Sequence, residues 1–206
     1  MSGTVVACGT GPSFNLSQVE TARQKGFALA GVNLLYQFVP DLRVLFATNE
    51  SFWDYYPEAR ECSAEKWTNS KDAAKKYGLN YIDSRNEKGL SDDPTIIHHG
   101  HSSGYCLINV LYLLGFTRII LLGYDMKFAP DYRGQDKKIG SSPRHFFGEY
   151  KPQCQHWPYF SVKNGVHVEL TSLYRTIAEQ NRVEIINCTP DSALDCFPMM
   201  DIADVR

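Results

Sequence analysis

The stretch from Ser102 to Asp125, SSGYCLINVLYLLGFTRIILLGYD, holds a complete helix–turn–strand unit. Ser103 suits an N-cap, Tyr105 to Leu114 reads as helix, Gly115 ends it, and Arg118 to Leu122 is a near-continuous apolar run of strand length. The helix is apolar on almost every side, which predicts burial against a sheet. A strand of such unbroken apolarity needs cover on both faces, as in a parallel sheet between two layers of helices.

The same rhythm extends outward from this unit. Upstream, TVVACG, QVETARQKG, FALAGVN and RVLFAT alternate strand-like and helix-like patterns; downstream come a helix over Val168 to Gln180 and a last strand in VEIINC. The expected fold is a Rossmann-like three-layer α/β/α with a mainly parallel sheet. With 206 residues, 43% of them hydrophobic, residues 1–206 are read as one domain. Between Met126 and Phe160 the periodicity dissolves into a segment rich in Gly, Pro, aromatics and charge, read as a lid-like insertion.

Composition narrows the function. A net charge of -2 without a basic run gives no indication of nucleic-acid binding. No apolar run approaches the roughly 20 residues of a membrane span, and the N-terminal MSGTVVACG lacks the features of a signal peptide, so a cytoplasmic location is expected. Six scattered cysteines without a C-x-x-C pair read as buried free thiols. Oligomerisation stays open.

In a doubly wound sheet, ligands bind beyond the carboxyl ends of the strands. Those ends carry Thr10, Gly11 and Ser13; Asn33; Thr48 and Asn49; and Gly123, Tyr124 and Asp125. Ser102, Ser103 and Gly104 open the apolar helix, where backbone amides favour an anion. Together they suit a nucleotide-linked ligand, with Asn side chains on base or ribose and Ser13, Ser102 and Ser103 on phosphate. No P-loop string occurs; Gly9 and Gly11 supply half of a dinucleotide fingerprint, Pro12 follows them, and the second strand end offers Asn33 without a nearby acid, all of which argues against NAD.

Strand alternation places His99 and His101 on one face and His98 on the other, too few ligands for a metal site. Asp125 is open to three roles: binding Mg²⁺, hydrogen-bonding a ribose, or capping a turn. Trp53, Trp157, Phe146 and Phe147 either stack on a ligand or close a core.

The order GTGPS, GVN, ATNESFW, SSGYCLINVLYLLGFTRIILLGYD and EIINCTPDSAL resembles the bacterial sialyltransferases of glycosyltransferase family 42. It is also similar to related phage-borne and bacterial proteins of the norphogenetic type and to archaeal 6-hydroxymethylpterin diphosphokinase-like proteins. The resemblance covers most of the chain. It implies a nucleotide sugar held by Thr10, Gly11, Ser13, Asn33, Asn49, Ser102 and Ser103, with Lys127, Tyr132 and Arg133 standing where the family's lid offers tyrosines; Gly104 and Asp125 join these candidates from their places at the helix start and the strand end. His167 stands slightly later than the family's general base, with His156 and His145 further back, and Gly100 occupies the place of a family arginine.

The expected function is therefore transfer of a sugar from a nucleotide donor to an acceptor that the sequence does not specify, with His167 or His156 as base and no cofactor. Two alternatives stand beside it. One is a diphosphokinase of the 6-hydroxymethylpterin type, which would need Mg²⁺ and more carboxylates than Asp125. The other is a nucleotide-binding module without catalysis.

Overall fold

Two helices begin on side chains that accept from their own first turn: Asn15 from the amide of Gln18, and Ser70 from that of Ala73. The computed structural model describes residues 3–127, 145–154 and 165–206, together with the backbone of Val162–Lys163. The chain runs β1 (Thr4–Cys8), α1 (Leu16–Gln24), β2 (Ala28–Val32), β3 (Val44–Phe46), α2 (Glu50–Tyr55), α3 (Pro57–Glu61), β4 (Glu65–Thr68), α4 (Lys71–Tyr77) and β5 (Asn80–Tyr81). It continues through β6 (Asp83–Arg85), β7 (Ile96–His98), α5 (Ser103–Leu113), β8 (Arg118–Leu122), β9 (Val162–Lys163), β10 (Val166–His167), α6 (Val168–Gln180) and β11 (Glu184–Asn187).

Seven strands form one parallel sheet in the order β11-β8-β1-β2-β3-β4-β5. Strand alternation divides the core. Val6, Cys8, Leu29, Leu45, Ile120 and Ile186 pack with α1, α2 and α3, whereas Val5, Ala7, Ala30, Val44, Ile119 and Ile185 pack with α5 and α6. The result is a Rossmann-like α/β/α sandwich. Among the described residues, no helix is long and apolar enough to cross a membrane.

Helix α5 is the most enclosed, with every residue from Gly104 to Leu111 buried and contacts to β1, β2, β3 and β7. It starts earlier than the sequence suggested, with Ser102 rather than Ser103 at the N-cap, and Gly115 (φ 85°) ends it. The Ser103 hydroxyl, relieved of capping, pairs with that of Thr48 at 3.1 Å. The apolar run before the histidines becomes β7, which pairs with β6 outside the main sheet. The six cysteines are free, four of them buried.

Part of the 126–160 segment is docked on the body. Phe146 packs against Phe14 and Phe38 with ring centroids 4.6 and 4.8 Å away, the Lys151 amide donates to the Tyr56 hydroxyl at 2.8 Å, and Cys154 is buried.

Candidate functional site

A cavity of about 550 Å³ opens beyond the carboxyl ends of β1, β2, β3 and β8 and meets the amino end of α5. The chain winds from β1 to β5 on one side and returns to β8 on the other, so this is the topological switch point of the sheet. Thr10, Gly11, Asn33, Asn49, Ser102, Ser103, Gly104, Asp125, Lys127 and His167 all line it. Ser13 is the exception among the described candidates.

The half-fingerprint serves the fold. The Gly9 amide donates to the Leu122 carbonyl at 2.7 Å and the Gly11 amide to that of Gly123 at 2.9 Å. A Cβ at Gly9 would stand 2.6 Å from the Gly123 oxygen, and one at Gly11 would stand 1.9 Å from Asp125 Oδ2. The Ser13 amide and hydroxyl donate to the two oxygens of Asp125 at 3.2 and 2.9 Å. Since Pro12 has no N–H, little of this loop's donor capacity is left for a phosphate. Ser13 is thus a positioning residue for Asp125, whose carboxyl is raised above the usual range by burial, partly offset by the Ser13 bonds.

The loop carrying Asp125 is braced from the C-terminal segment. Thr189 Oγ1 accepts from the Tyr124 amide at 3.0 Å, the Ser192 hydroxyl donates to the Tyr124 carbonyl at 2.6 Å, and the Ala193 amide donates to the Asp125 carbonyl at 2.9 Å. The TPDSAL string signals these supports only by its turn-forming composition.

A polar chain crosses the cavity between the ends of β2 and β3. Asn33 Nδ2 donates to the Tyr150 hydroxyl at 3.0 Å, Asn33 Oδ1 accepts from Ser103 Oγ at 3.4 Å, and Ser103 continues to Thr48. Tyr150 carries no signal in the sequence; it reaches the site because the docked segment folds back over it. Asn33 (φ 51°), His101 (φ 56°) and Met126 (φ 49°) all line the cavity in left-handed backbone conformations. Such strain concentrates at binding sites. At the adjoining end of α5, Ser102 sits in extended conformation without a side-chain capping bond, so the first-turn amides face the cavity uncapped. Asn49 likewise occupies the N-cap of α2 without capping it.

His167 is buried at the start of α6, its amide donating to the Met126 carbonyl at 3.1 Å, and burial lowers its imidazole to about 4. His99 and His101 line the cavity with rings 5.4 Å apart, while His98 turns away to Glu87 at 3.2 Å. His145 Nδ1 lies 3.0 Å from Thr10 Oγ1. Lys127 pairs with Asp191. Tyr132, Arg133, His156 and Trp157 lie outside the described residues.

Trp53 is fully buried in the core, donating to the Ala47 carbonyl, which resolves its two readings in favour of packing. Phe146 also packs on the core, and Phe147 stacks on His145. At Gly100 a Cβ would fall 2.3 Å from the Tyr105 ring, so no larger side chain fits there in this packing. Among the described residues no group of three or more His, Cys, Asp or Glu is placed to hold a metal ion.

No family model matches the chain, and no curated protein matches it. Among solved structures, a "putative epimerase" from Bacteroides thetaiotaomicron is similar at 14% identity and a TM-score of 0.34, over 98% of this chain and 86% of that one.

Proposed function

We propose that the protein is a nucleotide-sugar-dependent glycosyltransferase, sialyltransferase-like, that binds its donor in the switch-point cavity. The observation that carries this reading is the uncapped amino end of the buried helix α5 facing that cavity. Orphan amides and the helix dipole there favour a phosphate group. Thr48 and Asn49, at the end of β3, suit hydroxyl and base edges, and Asn33 at the end of β2 is held in place beside them by Tyr150 and Ser103. In the transfer step the acceptor oxygen attacks the anomeric carbon, its proton passes to the His167 imidazole, and the bond from that carbon to the phosphate oxygen breaks with its electron pair staying on phosphate. Burial lowers the His167 imidazole to about 4, which keeps the ring neutral and able to accept a proton but makes it a weaker base than a histidine in water. A diphosphokinase finds less support, because both oxygens of Asp125 are already engaged by Ser13.

The test is thermal stability of the purified protein with CMP, UDP, GDP and ATP, each with and without Mg²⁺. One of the first three is expected to stabilise without metal, by about 2.7 kcal/mol at 100-fold its dissociation constant. His167→Ala is expected to keep that stabilisation and lose sugar transfer. Stabilisation by ATP with Mg²⁺ alone overturns the reading in favour of the diphosphokinase; stabilisation without transfer from any sugar donor of the bound nucleotide leaves a binding module; no response overturns nucleotide binding.

A further inference from the structure

The cavity wall beside the amino end of α5 is formed by His99 and His101. The His101 amide donates to His99 Nδ1 at 3.1 Å. A neutral imidazole accepting at Nδ1 carries its proton on Nε2, so this bond fixes both the tautomer and the tilt of the ring. It exists because His101 is held in the left-handed region (φ 56°), which turns its amide back toward His99. The other end of His99 is fastened by its own amide, which donates to the Arg85 carbonyl at 2.8 Å on the neighbouring strand β6. Half-buried and held at both backbone and ring, His99 is a preorganised single donor on the wall of the cavity. Burial, with the nearby His101 ring adding to it, lowers its pKa, which keeps the ring neutral and makes its contribution a hydrogen bond rather than a charge.

Two other basic groups of the wall already have partners: Lys127 pairs with Asp191, and His145 meets Thr10. We propose that His99, through Nε2–H, is the side-chain donor that binds the phosphate of the nucleotide next to the α5 amides and so sets the preference for nucleotide over nucleoside. This rests on the nucleotide-binding reading. When the sugar–phosphate bond breaks, His99 keeps its proton and its hydrogen bond shortens against the more negative oxygen.

The experiment is calorimetric binding of cytidine against CMP, uridine against UDP and guanosine against GDP, on the wild type and three variants. In the wild type, one nucleotide should bind at least about ten-fold more tightly than its nucleoside, the size of one hydrogen bond to a charged group. His99→Ala should lose most of that preference with nucleoside affinity unchanged. His99→Gln keeps an N–H donor and should recover part of it, which separates donation from mere packing. His98→Gln, whose ring faces Glu87, should retain the full preference. A preference intact in His99→Ala overturns the role of His99 alone; a wild type that binds none of the six overturns the nucleotide reading and this inference with it.

Discussion

A methyl group at position 11 would stand 1.9 Å from an oxygen of Asp125, far inside van der Waals contact. Gly11→Ala must therefore push the carboxylate off Ser13 or open the crossing of the two strand ends. A loss of about 1–3 kcal/mol is expected, read from the midpoint of urea unfolding, with the slope unchanged. His167 couples stability to pH. Its folded-state pKa, about 4, lies below the ordinary value of 6.5, so the native state binds fewer protons than the unfolded chain between those values. Stability present above pH 6.5 is lost as pH falls through about 4, on the order of 3 kcal/mol in all. Urea unfolding of wild type and His167→Gln across this range should show the loss in the first and its reduction in the second.

The roles of single residues were unevenly legible in the sequence. That His99 and His101 lie together away from His98 matches the alternation expected of a strand but has another cause: β7 ends at His98, and the left-handed turn at His101 (φ 56°) folds its amide back onto His99. That Gly9 and Gly11 make room for Gly123 and Asp125 was not legible, because the close approach joins two loops far apart in the chain. Ser13 reads as a phosphate ligand until Asp125 is seen to hold both its donors.

At the scale of elements, α5 was the most legible, since a helix apolar on all sides has one place to go. The polar residue inside it ties it to the site. Asn109 is fully buried; its Oδ1 accepts from the amides of Ser91 and His98, each at 3.0 Å, and its Nδ2 donates to the Ser91 carbonyl. It thereby anchors β7 just ahead of the turn bearing His99 and Ser102. Asn109→Ala leaves the buried Ser91 amide and the part-buried His98 amide without their acceptor, at about 1–3 kcal/mol for the first and less for the second, and should lower the unfolding midpoint accordingly. Amide exchange at Ser91 and His98 should accelerate more than in β1. The short strands β4 to β7 were less legible, because two to four residues are too few to display a period. The docking of residues 145–154 was not legible either: it depends on Phe146 reaching Phe14 and Phe38, which spacing does not disclose.

At the scale of the molecule, the β–α alternation and the apolarity of β8 were enough to give the architecture, and the rule that ligands bind at strand ends located the cavity. Its composition was only partly readable. Thr10, Asn33, Thr48, Ser103 and Asp125 follow from the rule, whereas Tyr150 enters through a segment whose path the sequence leaves open. The ligand panel belongs to this scale, because the cavity draws on segments from Gly9 to Leu170 and a nucleotide filling it would tie together both sides of the switch point. Its stabilisation should therefore appear as a shift of the whole unfolding transition rather than as local protection.

The position of β1 in the sheet also shapes how the chain is born. β1 lies between β2 and β8, with Thr4 opposite Arg118 and Cys8 opposite Leu122. β1 is made well before β8, the strand that covers one of its edges, because β2 to β7 and α5 lie between them in the chain. Until β8 is made the nascent chain displays a bare parallel edge, a template for pairing with another chain. Between the synthesis of β1 and that of β8 this edge stays open to misassembly, and a chaperone that shields extended apolar segments would act in that interval.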